Sequence, residues 1–330
     1  MANEIWTIAE QYDGKLKNIS FELLAWGRRL ADQSKGKLVS VLIGNGVNDD
    51  ALQHLIRHGA DEVYSVQAPH LANFICPSYT AALQELIADI KPDVILAGAT
   101  TQGRTLMPYT AVKVHTGLTA DCTGLEIIDG LLHQTRPAIG GNIMATIKTA
   151  NTKPQMATVR PKSARPLKED AARKGNIKHI TLKTPPRDLG IKVEGIRQVE
   201  GGFVNIEEAE VIVSGGRGLK KAENFKIIHE LAKKLGGEVG ASRDAVDRGW
   251  ISYPHQVGLS GKTVSPRLYM AIGISGAIQH LAGIKTAECI VSINSDPDAP
   301  IHQLADLGIV GDAFQVVPEI MKRLEQQKKG

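Results

Sequence analysis

The residues of this chain whose types and spacing suit chemistry lie in polar, glycine-bearing loops of the second half. They are better suited to holding a ligand than to moving protons. Between residues 268 and 294 an apolar run (Leu268 to Ile274) ends in Ser275-Gly276. A short helical stretch follows through Ala277, Ile278, Gln279 and His280 to Ala282, and a second apolar run (Cys289 to Ile293) stops at Asn294. A strand that ends in Ser-Gly and opens a helix presents backbone N–H groups beyond its end. Glycine there lets a ligand approach the backbone closely. Polar residues collected at strand ends are where open α/β sheets bind nucleotides.

Other loops share this form. Val211 to Gly215 leads into Gly216, Arg217 and Gly218, with a helix expected from Glu223. Successive N–H groups in such a turn form an anion nest, and Arg217 can give a phosphate a charge-assisted hydrogen bond. The run is neither GxGxxG nor a P-loop, and a tight turn with a surface arginine explains it equally well. Gly240-Ala241-Ser242-Arg243-Asp244 is a second helix start. There Ser242 either caps the helix or meets a diphosphate oxygen. Taken alone, Arg243 is better read as the i+4 partner of Asp247. Gln256-Val257-Gly258-Leu259-Ser260-Gly261-Lys262-Thr263 offers a hydroxyl and N–H groups to a ligand. It contains Gly-Lys-Thr, but Gln256 and Pro254 stand where a P-loop needs glycine and a strand. Asn294, with Asp296 and Asp298, is an Asx-type turn or a ligand contact. Its spacing lacks the closing Glu of a calcium loop. Asp312 follows Gly308-Ile309-Val310-Gly311 at another strand end.

Proton chemistry has few candidates. His54 and His58 stand four apart without forming HExxH, no nucleophile elbow occurs, and only His280 neighbours the loops above. Any redox work therefore belongs to a bound cofactor.

A length of 330 residues is enough for two domains, and 22% charged residues describe a soluble globular chain. The formal charge of +4 comes without a basic stripe or interleaved aromatics, which argues against a nucleic-acid partner. Cys76, Cys122 and Cys289 stand apart with no CxxC, so each reads as a small buried hydrophobe in a reducing compartment. No secretory leader, transit segment or run of about twenty apolar residues is visible, and the expected location is cytoplasmic.

The first half alternates strand-like segments (Ile5–Ile8, Leu38–Ile43, Glu62–Val66, Asp93–Ala97) with helical ones (19–31, 50–57, 79–90, 104–114). This pitch implies parallel strands with crossover helices. The segments 124–128, 131–136, 142–149 and 155–161 lack helical partners and read as antiparallel hairpins. Strand-like pieces are expected at 179–183 and 191–198, and a domain boundary near 198–205. A new α/β pattern follows: strands at 209–213, 268–274, 289–293 and 308–311, and helices at 223–235, 241–249 and 318–324. The expected fold class is α/β in two domains. Residues 1–200 form a parallel-sheet, nucleotide-binding-like domain, and residues 201–330 a doubly wound one.

Taken in order, the loops resemble those of the electron transfer flavoprotein α subunit. The motifs are VSGGRG (213–218), GASRDAVD (240–247), QVGLSGKTVSPRLY (256–269), GISGAIQHLAG (273–283), SINSDPDAPI (292–301) and DLGIVGD (306–312). TGLTADCTGLE (116–126) and TRPAIGGNIMAT (135–146) are also similar to that family, the latter closer to versions in anaerobes. The resemblance implies bound FAD and a β subunit held by the N-terminal domain. It sets Arg217, Ser242 and the backbone of Ser275, Gly276 and Ala277 at the diphosphate. It sets Asn294 and Asp312 towards the adenosine half, and Arg243, Ser260, Gln279 and His280 towards the isoalloxazine. Gly216, Gly218, Gln256, Val257, Gly258, Leu259 and Ile278 complete the implied FAD site.

A cation and donors near the flavin N1/C2 oxygen stabilise negative charge. Arg243 and His280 are expected to supply that field, and Ser260 to reach N5. Many family members carry Gln-Thr where this chain has Leu259-Ser260, so the hydroxyl is kept and the amide lost. The implied function is electron carriage to or from an acyl-CoA dehydrogenase-type flavoenzyme. A bifurcating variant would use NADH and ferredoxin through the complex. The alternatives are a self-contained nucleotide-dependent enzyme, for which only His280 is a candidate, and an AMP- or ADP-binding regulatory module.

Overall fold

Along the first strand Ile5 and Ala9 join one hydrophobic cluster while Trp6 and Ile8 join another, and both are buried. A strand buried on both faces belongs inside a parallel sheet with helices on either side. The structure, a computed structural model, describes residues 4–138, 143–185, 190–191, 193–195 and 206–327. The chain divides into two compact units, Met1–Glu194 and Gly195–Gly330. The join expected at 198–205 lies outside the described residues.

The first unit begins with β1 (Glu4–Ala9), the short strands β2 (Gln11–Tyr12) and β3 (Lys15–Leu16), α1 (Asn18–Ser34), β4 (Lys37–Gly44), α2 (Asp49–Arg57) and β5 (Glu62–Gln67). It continues with α3 (Cys76–Ile90), β6 (Val94–Gly98), α4 (Thr101–Lys113), β7 (Leu118–Cys122), β8 (Gly124–Ile128), β9 (Leu131–Pro137), β10 (Met144–Ile147), β11 (Gln155–Val159) and β12 (Asn176–His179). The main sheet is parallel, in the order β12-β5-β4-β1-β6-β11-β7. Leu23, Leu24, Leu52, Leu55 and Ile56 of α1 and α2 cover one face, and Leu83, Leu86, Leu106 and Met107 of α3 and α4 cover the other.

Three expectations change here. β8, β9 and β10 do form an antiparallel sheet, but residues 155–159 leave it and run parallel between β6 and β7. All five residues of β11 are buried, so its Gln and Thr side chains mimic a half-exposed hairpin strand while lying in the core. Gln155 Oε1 accepts the Leu132 N–H at 2.7 Å, which satisfies part of that polarity. β12 lies a few residues earlier than expected, and Ile191 and residues 193–195 are not in a strand. Cys122 is buried as expected, whereas Cys76 and Cys289 are only half-buried.

At the C-terminal end of β1, where the strand order reverses, stands buried Glu10. It accepts a hydrogen bond from Thr100 Oγ1 at 2.5 Å and faces Lys17 Nζ at 3.6 Å. At the opposite end of the sheet, Glu62 sits between Lys37 at 2.6 Å and Lys178 at 2.9 Å. Burial alone would raise the Glu62 carboxyl, but the two lysines outweigh it and hold its pKa at about 2, against an ordinary 4.5. A depressed folded-state pKa gives stability that is complete above the unfolded value and is lost as pH falls through the folded one. Urea unfolding of wild type and Glu62→Gln is therefore expected to differ at neutral pH and to converge as the pH falls from 4.5 towards 2. A gap that stays constant over that window would remove Glu62 as an acid-sensitive contact.

The second unit comprises β13 (Val211–Gly215), α5 (Phe225–Leu235), β14 (Glu238–Ala241), α6 (Arg243–Asp247), β15 (Leu268–Ile272), α7 (Ile278–Leu281), β16 (Ile290–Asn294), α8 (Ile301–Leu304), β17 (Leu307–Val310) and α9 (Ala313–Gln327). Its five strands are all parallel, in the order β14-β13-β15-β16-β17. Phe225, Ile228 and Leu231 of α5 and Val317 of α9 pack on Val213, Met270, Ile272 and Ile293. The opposite face is closed by Val257, Val264, Ile284 and Ile301 against Ile212, Tyr269 and Ala271. Both faces are thus covered, which defines a doubly wound fold. α5 stops at Gly236, whose φ of 66° suits the left-handed cap. β14 was not expected: four residues including Gly240 leave too short a pattern to read.

Candidate functional site

In the second unit the chain goes from β13 outward to β14, then back across to β15. The sheet therefore has its topological switch point between β13 and β15, where open α/β sheets bind ligands beyond the strand ends. A cavity of about 660 Å³ opens there, within the range of small-molecule sites.

After β13, the Gly216 N–H donates to the Ile272 carbonyl and the Gly218 N–H to the Gly273 carbonyl, both at 2.9 Å. A Cβ on Gly216 would come within 2.4 Å of Gly273 O, and one on Gly218 within 2.7 Å of Gly273 Cα. These glycines let two loops touch backbone to backbone. Their N–H groups are committed to that contact and do not form the anion nest expected from the sequence. Gly218 and Arg217 line the cavity while Gly216 stands behind it. The Arg217 side chain is 73% exposed, with Asp244 3.9 Å away.

After β14, Ser242 has the extended backbone of an N-cap but makes no capping bond, and its buried Oγ has no hydrogen-bond partner. Arg243 pairs with Asp247 at 3.2 Å, as local spacing predicts, and both also line the cavity.

The next loop is held from both sides. The Val257 N–H donates to Ala241 O at 2.9 Å, Gly258 to Lys262 O at 3.0 Å and Leu259 to Gln279 O at 2.9 Å. Val257, Gly258, Leu259 and Ser260 line the cavity. Gln256 does not: it is 3% exposed, and its Nε2 donates to Ser260 Oγ at 3.1 Å. That bond fixes the serine oxygen and leaves the hydroxyl proton available to a ligand.

After β15, Gly276 has φ of 91°, and a Cβ there would lie 2.4 Å from Ile301 N. Ser275, Ala277, Gln279 and His280 line the cavity, whereas Gly276 shapes the turn from behind and Ile278 is 80% exposed outside it. The first backbone bond into α7 runs from His280 N–H to Ala277 O at 2.8 Å, so the Ile278 and Gln279 N–H groups have no acceptor within the helix. His280 is 6% exposed and its Nε2 lies 3.0 Å from the Tyr269 hydroxyl. Burial lowers its pKa to about 4. The imidazole is therefore neutral at pH 7 and does not carry the charge expected of it.

Asn294 lines the cavity and also forms its Asx turn. Its Oδ1 accepts the Asp296 N–H at 3.0 Å and its Nδ2 donates to Ile274 O at 2.9 Å. Asp312 stands apart, accepting the Phe314 N–H at 2.9 Å at the start of α9. Asp244, Asp247, Gly273, Ile274 and Asp296 line the cavity although none was counted among the implied FAD contacts. Gly273 carried a readable signal, being a glycine set within the otherwise apolar predicted strand 268–274.

The residues fit a dinucleotide with a phosphate centre. The cradle is made of glycines, a buried hydroxyl lacks a partner, and arginines stand at the rim. Fold and site together define a doubly wound cofactor-binding protein of the flavodoxin-like strand order. The electron transfer flavoprotein domain matches residues 5–185 and the electron transfer flavoprotein FAD-binding domain residues 205–285. The chain is 50% identical over 326 residues to the electron transfer flavoprotein subunit alpha of Thermoanaerobacterium thermosaccharolyticum, covering 98% of each. It is 41% identical to the acryloyl-CoA reductase electron transfer subunit beta of Anaerotignum propionicum, covering 98% of this chain and 96% of that one. It is 38% identical to the lactate dehydrogenase (NAD(+),ferredoxin) subunit LctC of Acetobacterium woodii, covering 97% and 77%. The chain belongs to the electron transfer flavoprotein family, as an α subunit whose cofactor is FAD. Among the described residues no helix is long and apolar enough to cross a membrane.

Proposed function

We propose that the switch-point cavity of the second unit is the FAD site and that the protein works in the cytoplasm with a β subunit. The observation that carries this reading is the cavity between β13 and β15, with the unpartnered, buried Ser242 Oγ in its wall. Arg217, Ser242 and the Ser275–Ala277 backbone hold the diphosphate. Asn294 serves the adenosine half, with Asp312 supporting that side from the start of α9. Arg243, Ser260, Gln279 and His280 address the isoalloxazine. FAD supplies the electron chemistry when bound; the chain binds it and sets the charge around it. The N-terminal domain, residues 1–200, contacts the β subunit. Ile143, Met144 and Ile147, exposed at β10, give that contact an apolar surface.

The electron partner is an acyl-CoA dehydrogenase-type flavoenzyme, a reading supported by the relative named as an acryloyl-CoA reductase subunit. The relative named as an NAD(+),ferredoxin lactate dehydrogenase subunit favours a second reading, in which the complex exchanges electrons with NADH and ferredoxin. Co-purification with the β subunit and an absorption spectrum test both. One FAD per complex supports the plain carrier and two or more the bifurcating type. A folded complex that is colourless and takes up no FAD would promote an AMP- or ADP-binding module instead.

Arg243→Ala removes the charge next to the ring. The flavin midpoint potential is expected to fall by about 60 mV, a tenfold change for one electron. An unchanged potential in dye-coupled titration would place the stabilising charge elsewhere.

A further inference from the structure

Beneath the cavity two polar side chains are buried against each other. Tyr269, in β15, is wholly buried, and His280, in α7, lines the cavity. The phenol oxygen and Nε2 are 3.0 Å apart, with ring centroids 6.0 Å apart and planes tilted by 55°. A buried phenol O–H needs an acceptor. Ser214 Oγ also stands near the phenol but meets hydrogen-bonding geometry with no group, so Nε2, 3.0 Å away, is the acceptor in place for the phenol proton. A neutral imidazole that accepts at Nε2 carries its own proton on Nδ1. The Val257 backbone lies near this ring, but no group meets hydrogen-bonding geometry with the buried His280 Nδ1. An unsatisfied N–H costs stability until an acceptor arrives, and the space beside this ring is the cavity.

We propose that Tyr269 is a positioning residue that fixes His280 as the neutral Nδ1–H tautomer, so that the histidine meets its ligand as a hydrogen-bond donor without a charge. The proposal rests on reading the cavity as the FAD site and deepens it. The acceptor is a carbonyl oxygen or ring nitrogen of the isoalloxazine. An uncharged donor strengthens its bond as negative charge grows on the ring, without adding an ion pair to the reduced form. Phenylalanine at 269 would keep the packing and remove only the O–H that dictates the tautomer.

The test is long-range proton–nitrogen NMR of the full chain labelled with ¹⁵N-histidine, with the His280 signals assigned by their loss in His280→Gln. In the wild type at neutral pH, Nε2 is expected in the range of a bare ring nitrogen and Nδ1 in that of an N–H. In Tyr269→Phe the two shifts are expected to move towards each other as the tautomers mix. A purely structural tyrosine would leave them unmoved. A protonated Nε2 in the wild type, a doubly protonated ring, or a tautomer indifferent to Tyr269→Phe would each overturn the proposal. The wild-type spectrum decides the direction of the bond even if the variant folds poorly. The same spectra with FAD removed separate the two readings. A chain that takes up no FAD but shows the Nδ1–H form supports the role of Tyr269 and overturns the assignment of the cavity.

Discussion

Gly276→Ala is expected to empty the cavity of FAD and to destabilise the second unit by on the order of 3 kcal/mol. Two costs add at this position. The backbone φ of 91° lies where L side chains rarely settle, and the new methyl would meet Ile301 N at 2.4 Å and Ile301 Cα at 2.8 Å. Neither atom can swing away, because both are backbone and the Ile301 N–H already donates to Ser275 O at 3.0 Å. Relief requires that the Ser275–Ala277 turn move away from α8, and that turn is the wall of the site. Thermal unfolding and the FAD content of the purified complex measure the two effects. A variant that keeps both its melting temperature and its flavin would show that the turn has slack the structure does not reveal.

Arg217→Ala is expected to weaken FAD retention by roughly ten- to a hundredfold, the loss of one charge-assisted hydrogen bond worth about 1.5–3 kcal/mol. The arginine is poised for a phosphate. Its only ion-pair neighbour among the described residues, Asp244, is 3.9 Å away and closer to Arg248, at 3.1 Å. Little holds the guanidinium back, so turning to a diphosphate sacrifices almost nothing within the protein. Asp244→Asn serves as the control and is expected to leave retention unchanged or slightly better. Flavin release followed by fluorescence would settle the point: equal release rates in wild type and Arg217→Ala would take Arg217 out of the site.

Much of the second unit was legible because its elements are strongly patterned. The spacing of Phe225, Ile228 and Leu231 marks one face of α5, and the apolar run from Leu268 marks β15. The loops at the ends of β13 and β15 were legible because glycine is required where two backbones touch. What the glycines do was not. The N–H groups of Gly216 and Gly218 hold the neighbouring loop, since Gly273 lies 55 or more residues further along and its carbonyls are fixed only by strand register. Gln256 and Asp312 have the right composition for ligand contacts, but they act on Ser260 and on the start of α9. The charge of His280 was invisible for a similar reason. It depends on burial against Tyr269, eleven residues away. In the first unit β11 was misread because Gln155 and Thr158 imitate a half-exposed strand although all five of its residues are buried.

The walls of the cavity come from residues 217 to 296, all contributed by the second unit. On the ribosome this order matters, since domains emerge and fold from the N-terminus onward. The first unit can complete its sheet while no part of the cavity wall has been made. The wall closes only when Asn294 has emerged to tie down the Ile274 carbonyl. On the proposed reading of the cavity as the FAD site, a nascent chain stalled before that residue would carry a finished first unit and an unfinished cofactor site.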